Sequence, residues 1–305
     1  MPLNIEMLRH HVIATSVYPD QRLSGNTRLI FTLLLNHNNN DYSTRSIKDL
    51  VHITPTLHLV SSYNDSTNMP PNEIYQFSVI AALMTGLASA SSSTTLSDLL
   101  SHGNLGLGTF EHLDGEMVVL DGKPFQLKHD GSVSSVPSDA HIPFAAVTQF
   151  EAQKQTTARI TSKDDLLDCV AGLLKDARNH FVSMQVKGRF ASITCRTVPP
   201  QKYSGELLTE AGKRQVVKEY KDVEGVIVGF RSPQWAENVS VAGLHVHFIS
   251  KDRSFGGHVL ALEAAGALDV AVSCCTNLKV DLPTSEDFGA RDLEQDKEGL
   301  KKVEG

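Results

Sequence analysis

Apolar residues recur first at a helical period and then, over most of the chain, at a period of two. After Pro70-Pro71, the residues Ile74, Phe77, Ile80, Ala81 and Met84 fall on a 3.6-residue stripe that stops at Gly86, which predicts an amphipathic helix. From Gly106 the period shortens. The runs 106–110, 116–120 and 125–127 are separated by Asp114-Gly115 and Asp121-Gly122, pairs that tolerate the positive φ of a tight reversal, so a β-meander is predicted. Residues 143–150 read as another strand. Ser162 with Asp165 resembles a capping box ahead of a helix that buries Leu166, Val170, Leu173, Leu174 and Ala177. Phe181–Val186 and Phe190–Arg196, with Lys187-Gly188-Arg189 between them, predict a hairpin whose second strand carries Phe190, Ser192, Thr194 and Arg196 on one face. Val226–Val228 and a later hairpin over 243–262 complete a second β region.

These elements predict an α+β fold: two β-rich units with mixed sheets and few helices. Residues 1–70, with asparagine-rich 36–40 and polar 64–68, read as a weakly ordered N-terminal extension. Residues 71–155 read as an N-terminal β-rich unit with a leading helix, 156–282 as a second β-rich unit carrying the candidate metal site described below, and 283–305 as an acidic, polar C-terminal tail.

Composition narrows the function classes. With 41% hydrophobic and 21% charged residues, the 305-residue chain is ordinary for a globular protein. The apolar stretch 29–35 falls far short of the roughly 20 residues a membrane-spanning helix requires. A net charge of −7 disfavours binding to a phosphate backbone, while a small anionic substrate remains compatible with a local arginine. The 4 cysteines form no CxxC pattern, which points to reduced thiols in an intracellular compartment.

The candidate chemistry lies in the last hairpin. In Gly243-Leu244-His245-Val246-His247-Phe248 the two histidines point to one face of a strand, about 6–7 Å apart. Gly256-Gly257 lets the chain return, and His258 comes to the same face. Three neutral imidazoles with an open fourth position suit a catalytic zinc. A His-x-His pair also occurs as two hydrogen-bonded, partly buried side chains, and the third histidine is what shifts the balance toward metal. Arg196 is a candidate carboxylate anchor, with a surface salt bridge as its ordinary alternative. Glu116, at a strand start after Asp-Gly, is a candidate proton carrier or a solvated hairpin corner. Gly106 and Gly108 fit close backbone packing better than a phosphate loop.

Taken together, the strings 102–110, 113–116, 143–148, 196–201, 229–234 and 241–260 resemble the α-acetolactate decarboxylase family, over roughly residues 72–305. The resemblance implies that His245, His247 and His258 bind Zn2+, that Thr109, Glu116 and Arg196 line the substrate site, and that a tail glutamate, Glu304 or alternatively Glu298, closes it. It implies decarboxylation of 2-acetolactate to acetoin and carbon dioxide, with zinc chelating the ketone and hydroxyl oxygens and stabilising an enediolate. Catalytic roles then fall to Glu116, Arg196 and Glu304, and substrate contacts to Thr109 and Arg196. A cytoplasmic homodimer acting on a small molecule, with no nucleic-acid or membrane partner, is also implied. Asn104-Leu105 departs from the family's usual Asp-Phe. Two other classes fit the histidine hairpin: a cupin-like metal-dependent oxygenase using iron, and a degenerate zinc-binding non-enzyme.

Overall fold

The computed structural model describes residues 71–293 except 90 and 92, residues 299 and 300, and the backbone of three strands before residue 37. The chain divides into two compact units, Met1–Asp65 and Ser66–Gly305. In the first, β1 (Asn4–Leu8), β2 (His11–Pro19) and β3 (Arg28–Asn36) form an antiparallel sheet in that order. The third of these strands coincides with the run 29–35, which is apolar or β-branched throughout.

The second unit is built from two sheets. One draws on β4 (Ile74–Phe77), β5 (Thr94–Thr95), β6 (Leu105–Thr109), β7 (Glu116–Leu120), β8 (Lys123–Leu127), β9 (Val133–Ser134), β10 (His141–Ile142) and β11 (Phe144–Thr148), with β5 and β10 pairing separately. The other draws on β12 (Lys154–Ala158), β13 (Phe181–Thr197), β14 (Val216–Ser232), β15 (Gly243–Ser250), β16 (Gly256–Ala264) and β17 (Leu268–Cys275), before β18 (Leu278–Asp281) returns to the first sheet. The first sheet runs β18-β4-β11-β6-β7-β8-β9 and is mixed, because β18 lies parallel to β4. The second runs β12-β17-β13-β14-β15-β16, and β13 also pairs with β16, which closes β13 to β16 into a small barrel. Helices are few and mostly short: α1 (Ile80–Met84), α2 (Leu96–Leu100), α3 (Lys163–Leu173), α4 (Leu208–Gly212) and α5 (Glu286–Ala290).

Phe190, Ile193, Val246, Phe248 and Val259 are fully buried in the core of the second sheet, with Phe190 edge-on to Phe248 at 5.5 Å between ring centroids. Leu105, Val118, Leu120 and Leu127 of the first sheet pack against Val226, Val228 and Ile249 of the second. This contact sets β7 beside β15 and holds the two halves of the candidate site together. Among the described residues no helix is long and apolar enough to cross a membrane.

The meander appears as β6, β7 and β8, and Asp121 and Gly122 adopt φ 52° and 72° at its second turn. Ser162 caps α3, its hydroxyl accepting from the Asp165 amide at 3.0 Å. Two expectations are corrected. The stripe from Ile74 to Met84 is a strand and then a short helix, because β4 is buried along its whole length between β11 and β18 and Ser78 breaks the chain at φ 66°. The hairpin at 187–189 does not form: β13 is continuous and pairs with β14 from Val182 to Thr197. Gly188 holds φ 150° within the strand, a backbone conformation that side-chain-bearing residues rarely adopt, and the Leu268 side chain packs against it.

Candidate active site and metal centre

Strand alternation separates the roles of neighbouring residues on β15. Val246 and Phe248 enter the hydrophobic core, and His245 and His247 face β7 and the cleft between the sheets. Antiparallel pairing of β15 with β16 sets His258 directly opposite His247, and pairing of β16 with β13 sets Arg196 opposite His258. Glycine makes this approach possible. A Cβ on Gly256 would meet the Phe248 carbonyl at 2.1 Å, and one on Gly257 the Arg196 carbonyl at 2.7 Å. The three imidazole centroids are therefore 5.1–5.4 Å apart, and one donor nitrogen from each ring lies within 4.8 Å of the others.

All three rings are buried and uncharged. Burial lowers the His247 pKa to about 3, with the positive charge of Arg196 adding to the effect and the Met117 hydrogen bond opposing it. Burial likewise drives His245 and His258 well below the ordinary histidine value, helped by Arg196 and by the neighbouring rings. Neutral imidazole is the form that ligates metal. Because a carbonyl can only accept, the 2.7 Å contact to the Met117 oxygen places the proton of His247 on Nδ1. Nε2 then presents its lone pair; it is buried, lacks a hydrogen-bond partner and lies 3.6 Å from Glu116 Oε2. A buried acceptor in that state costs about 1–3 kcal/mol, and a divalent cation would satisfy it. With a carbonyl orienting the ring from behind, the donor set fits a metal ion.

A polar wall adjoins the histidines. Arg196 is 2% exposed, and its Nη1 lies 3.5 Å from Glu116 Oε1. The ordinary alternative of a surface salt bridge is thereby corrected. The ladder of β13 with β16 slips between Phe190 and Ser192, which turns Phe190 into the core, while alternation from Ser192 onward keeps Ser192, Thr194 and Arg196 on the face opposite Ile193 and Cys195. Thr109 pairs with Glu116 across β6 and β7, and its hydroxyl donates to the Gly115 carbonyl at 2.8 Å, which fixes the turn that delivers Glu116. Thr109, Glu116 and Arg196 share a cavity of about 30 Å3 with the aliphatic residues Leu83, Leu113, Val198 and Leu208. Glu304 and Glu298 lie outside the described residues. Leu300 of the tail is buried against the cluster that contains Leu83, Val198 and Leu208.

Several of these features had no sequence signal. The Met117 oxygen is backbone, and the aliphatic wall comes from four separate segments. Leu113 holds φ 59° beside His112 at φ 58°, a left-handed pair that the Asp-Gly signal next to it does not announce. Gly106 and Gly108 serve close packing, with Cβ positions 2.2 and 2.5 Å from the carbonyls of Ala146 and Phe144. Asn104 has a structural use, since its side-chain oxygen accepts from the Phe150 amide at 2.9 Å, and Leu105 is buried between the sheets. All four cysteines are free.

Residues 74–295 match the family model described as alpha-acetolactate decarboxylase. The chain is 38% identical over 245 residues to the alpha-acetolactate decarboxylase of Methanosarcina mazei, spanning 79% of this chain and 83% of that protein. It is 36% identical over 226 residues to that of Brevibacillus brevis, spanning 74% and 78%. The crystal structure of alpha-acetolactate decarboxylase from Bacillus subtilis strain 168 superposes with a TM-score of 0.72 at 30% identity, covering 76% of this chain and 99% of that one. With the matched region reaching from β4 through α5 and enclosing the whole histidine, glutamate and arginine cluster, the chain belongs to the α-acetolactate decarboxylase family of carboxy-lyases.

Proposed function

We propose that this chain is a zinc-dependent enzyme that converts 2-acetolactate (2-hydroxy-2-methyl-3-oxobutanoate) to acetoin and carbon dioxide. The observation that carries the proposal is the buried, neutral trio of imidazoles, with His247 Nε2 presenting an unsatisfied lone pair next to a buried arginine and a partly buried glutamate. His245, His247 and His258 would hold the ion. Bound there, zinc would supply Lewis acidity to the adjacent ketone and hydroxyl oxygens of the substrate and offset the negative charge left when carbon dioxide departs. Among the described residues the donor group contains no carboxylate, which favours zinc over the two-histidine, one-carboxylate set of iron oxygenases.

The protein's own groups divide the remaining work. Arg196 offers the planar fork of its guanidinium to the substrate carboxylate, holding it beside the ketone. Its interaction with Glu116 at 3.5 Å tempers that grip, and the balance matters, because an anchor that held the carboxylate too tightly would stabilise substrate more than transition state. Carbon dioxide carries no charge, so the anchor releases it. Glu116 sits between Arg196 and His247, at 3.5 and 3.6 Å, where a carboxyl can carry a proton to one face of the substrate carbon and yield a single enantiomer of acetoin. Thr109 would line the substrate, and Glu304 of the tail would share the proton work. The enzyme would act as a cytoplasmic homodimer on a small molecule, with no nucleic-acid or membrane partner, in keeping with a net charge of −7.

The test is to incubate the purified protein with racemic acetolactate and to measure acetoin, its enantiomeric composition and oxygen uptake, with and without chelator. Chelator-sensitive formation of one acetoin enantiomer without oxygen uptake is expected. Zinc binding without acetoin would leave a non-enzyme, and iron with oxygen uptake an oxygenase; either outcome defeats the proposal.

A further inference from the structure

The cavity beside Glu116 and Arg196, about 30 Å3, has room for only a water or two. An open cleft of about 700 Å3 lies against the same turns, bounded by Glu111, His112, Asp114, Gln201, Lys202 and Tyr203. Different residues of these turns line the two spaces. Glu111, His112 and Asp114 face the cleft, while Leu113 and Glu116 face the cavity; Gln201 and Tyr203 border the cleft, while Val198 and Leu208 border the cavity. The segment from Pro200 to Leu208 is therefore a partition between solvent and site.

That partition is tied down by one buried carboxylate. Glu206 is 4% exposed and accepts from Arg214 Nη2 at 2.8 and 2.7 Å through its two oxygens, and from the Lys202 amide at 2.7 Å. The Lys202 amide and the guanidinium hold its carboxyl below the usual range, so the latch stays charged at neutral pH. The Gln201 side chain donates to both the Gly86 and Glu206 carbonyls, at 3.0 and 2.8 Å, and the Gln201 amide donates to the His112 carbonyl at 2.8 Å. Gly86, at φ 87°, lies so near Gly205 that a Cβ would sit 2.6 Å from its carbonyl carbon. The stitched elements are those that supply Leu83, Leu113 and Leu208, the aliphatic wall. Nothing in the chemistry of decarboxylation needs this ion pair, yet it brackets α4, with Glu206 before the helix and Arg214 after it.

We propose that Glu206, latched by Arg214, is a positioning residue that holds Leu208 as the movable, size-setting wall of the cavity, so that substrate enters from the cleft when the latch yields. The proposal rests on acetolactate decarboxylation as the reaction. The wall would then bound the C2 alkyl group of the substrate, with a methyl accommodated and a larger alkyl group hindered.

The test compares acetolactate with its 2-ethyl homologue in the zinc-loaded wild type and in Glu206→Gln, Glu206→Asp and Leu208→Ala, together with backbone amide exchange across residues 203–212. Glu206→Gln is expected to raise KM for acetolactate about tenfold while kcat changes less than about threefold. Its ethyl-to-methyl ratio of kcat/KM should rise about fivefold, as should that of Leu208→Ala, since one methylene is worth roughly a factor of ten or more in a fitted pocket. Amide exchange across 203–212 should accelerate in Glu206→Gln, and Glu206→Asp should recover part of the wild-type KM. Equal loss of kcat on both substrates, or an unchanged ratio and exchange in Glu206→Gln, overturns the proposal. If Glu206→Gln does not fold, Leu208→Ala decides, and an unchanged ratio there overturns it. If the wild type releases no carbon dioxide from acetolactate, the decarboxylase assignment falls, and amide exchange alone then decides whether Glu206 is a latch.

Discussion

Two arginines on β13 meet carboxylates in opposite ways. Arg189 reaches Asp222 through two hydrogen bonds of 2.7 Å, with the side chains 56% and 70% exposed. Arg196 approaches Glu116 only to 3.5 Å, with the side chains 2% and 12% exposed. The better-formed pair is in water, where Coulomb attraction is weak and both side chains lose rotamer freedom. The looser pair is in the interior, where an ion pair repays its desolvation only when its geometry is excellent. A buried pair left at long separation beside three neutral imidazoles is poor use of charge for stability and good use of it for a site that receives an anion. The exposed pair at the middle of the strand shows what the same residue types do when nothing but local geometry shapes them.

The comparison can be broken at its buried end first. Arg196→Ala should lower kcat/KM about 10^3-fold, through loss of the carboxylate anchor. It should also destabilise the fold by about 3 kcal/mol, because one partner of a largely buried ion pair is removed; denaturant unfolding and carbon dioxide release measure the two effects separately. Glu116→Gln keeps the shape and removes the proton carrier. A fall of about 10^2-fold in kcat with bound zinc unchanged is expected from steady-state kinetics and metal analysis on one preparation. Gly257→Ala tests the register that brings His258 to Arg196: its new Cβ would crowd the Arg196 carbonyl at 2.7 Å. A loss of about 1–3 kcal/mol in urea unfolding, with weaker zinc binding, should follow. Asp222→Ala, in the exposed pair, should leave both the unfolding midpoint and turnover within experimental error. An Asp222→Ala variant that loses activity while Arg196→Ala keeps it would reverse the contrast between the two pairs.

Legibility in the sequence followed the range of the forces involved. Local signals were readable: Asp121-Gly122 marks a reversal through its own dihedral preferences, Ser162 caps α3 within one turn, and His245 and His247 share a face because a strand alternates. Non-local partners were not. Ile74 to Met84 has a helical period, yet pairing with β11 and β18 turns its first half into a strand, since two ladders outweigh propensity over four residues. Lys187-Gly188-Arg189 carries a turn composition, but β14 offers a partner along the full length of β13, and Gly188 is needed where Leu268 packs. The burial of Arg196 depends on β16 pairing beside it and on Glu116 arriving from the other sheet, which no periodicity encodes. Likewise the Met117 carbonyl that sets the His247 tautomer has no side-chain identity to read. The histidine trio was legible because two members lie on one strand and the third follows after a single glycine-led return.

The most direct test of the account is zinc titration into metal-stripped protein by equilibrium dialysis, with carbon dioxide release from acetolactate assayed on the same samples and on His247→Ala. Binding should saturate at one ion per chain, activity should rise in proportion to occupancy, and His247→Ala should show neither high-affinity zinc nor turnover. Full turnover in stripped protein, or in His247→Ala without metal, would contradict the claim that these three imidazoles share the ion on which the chemistry depends.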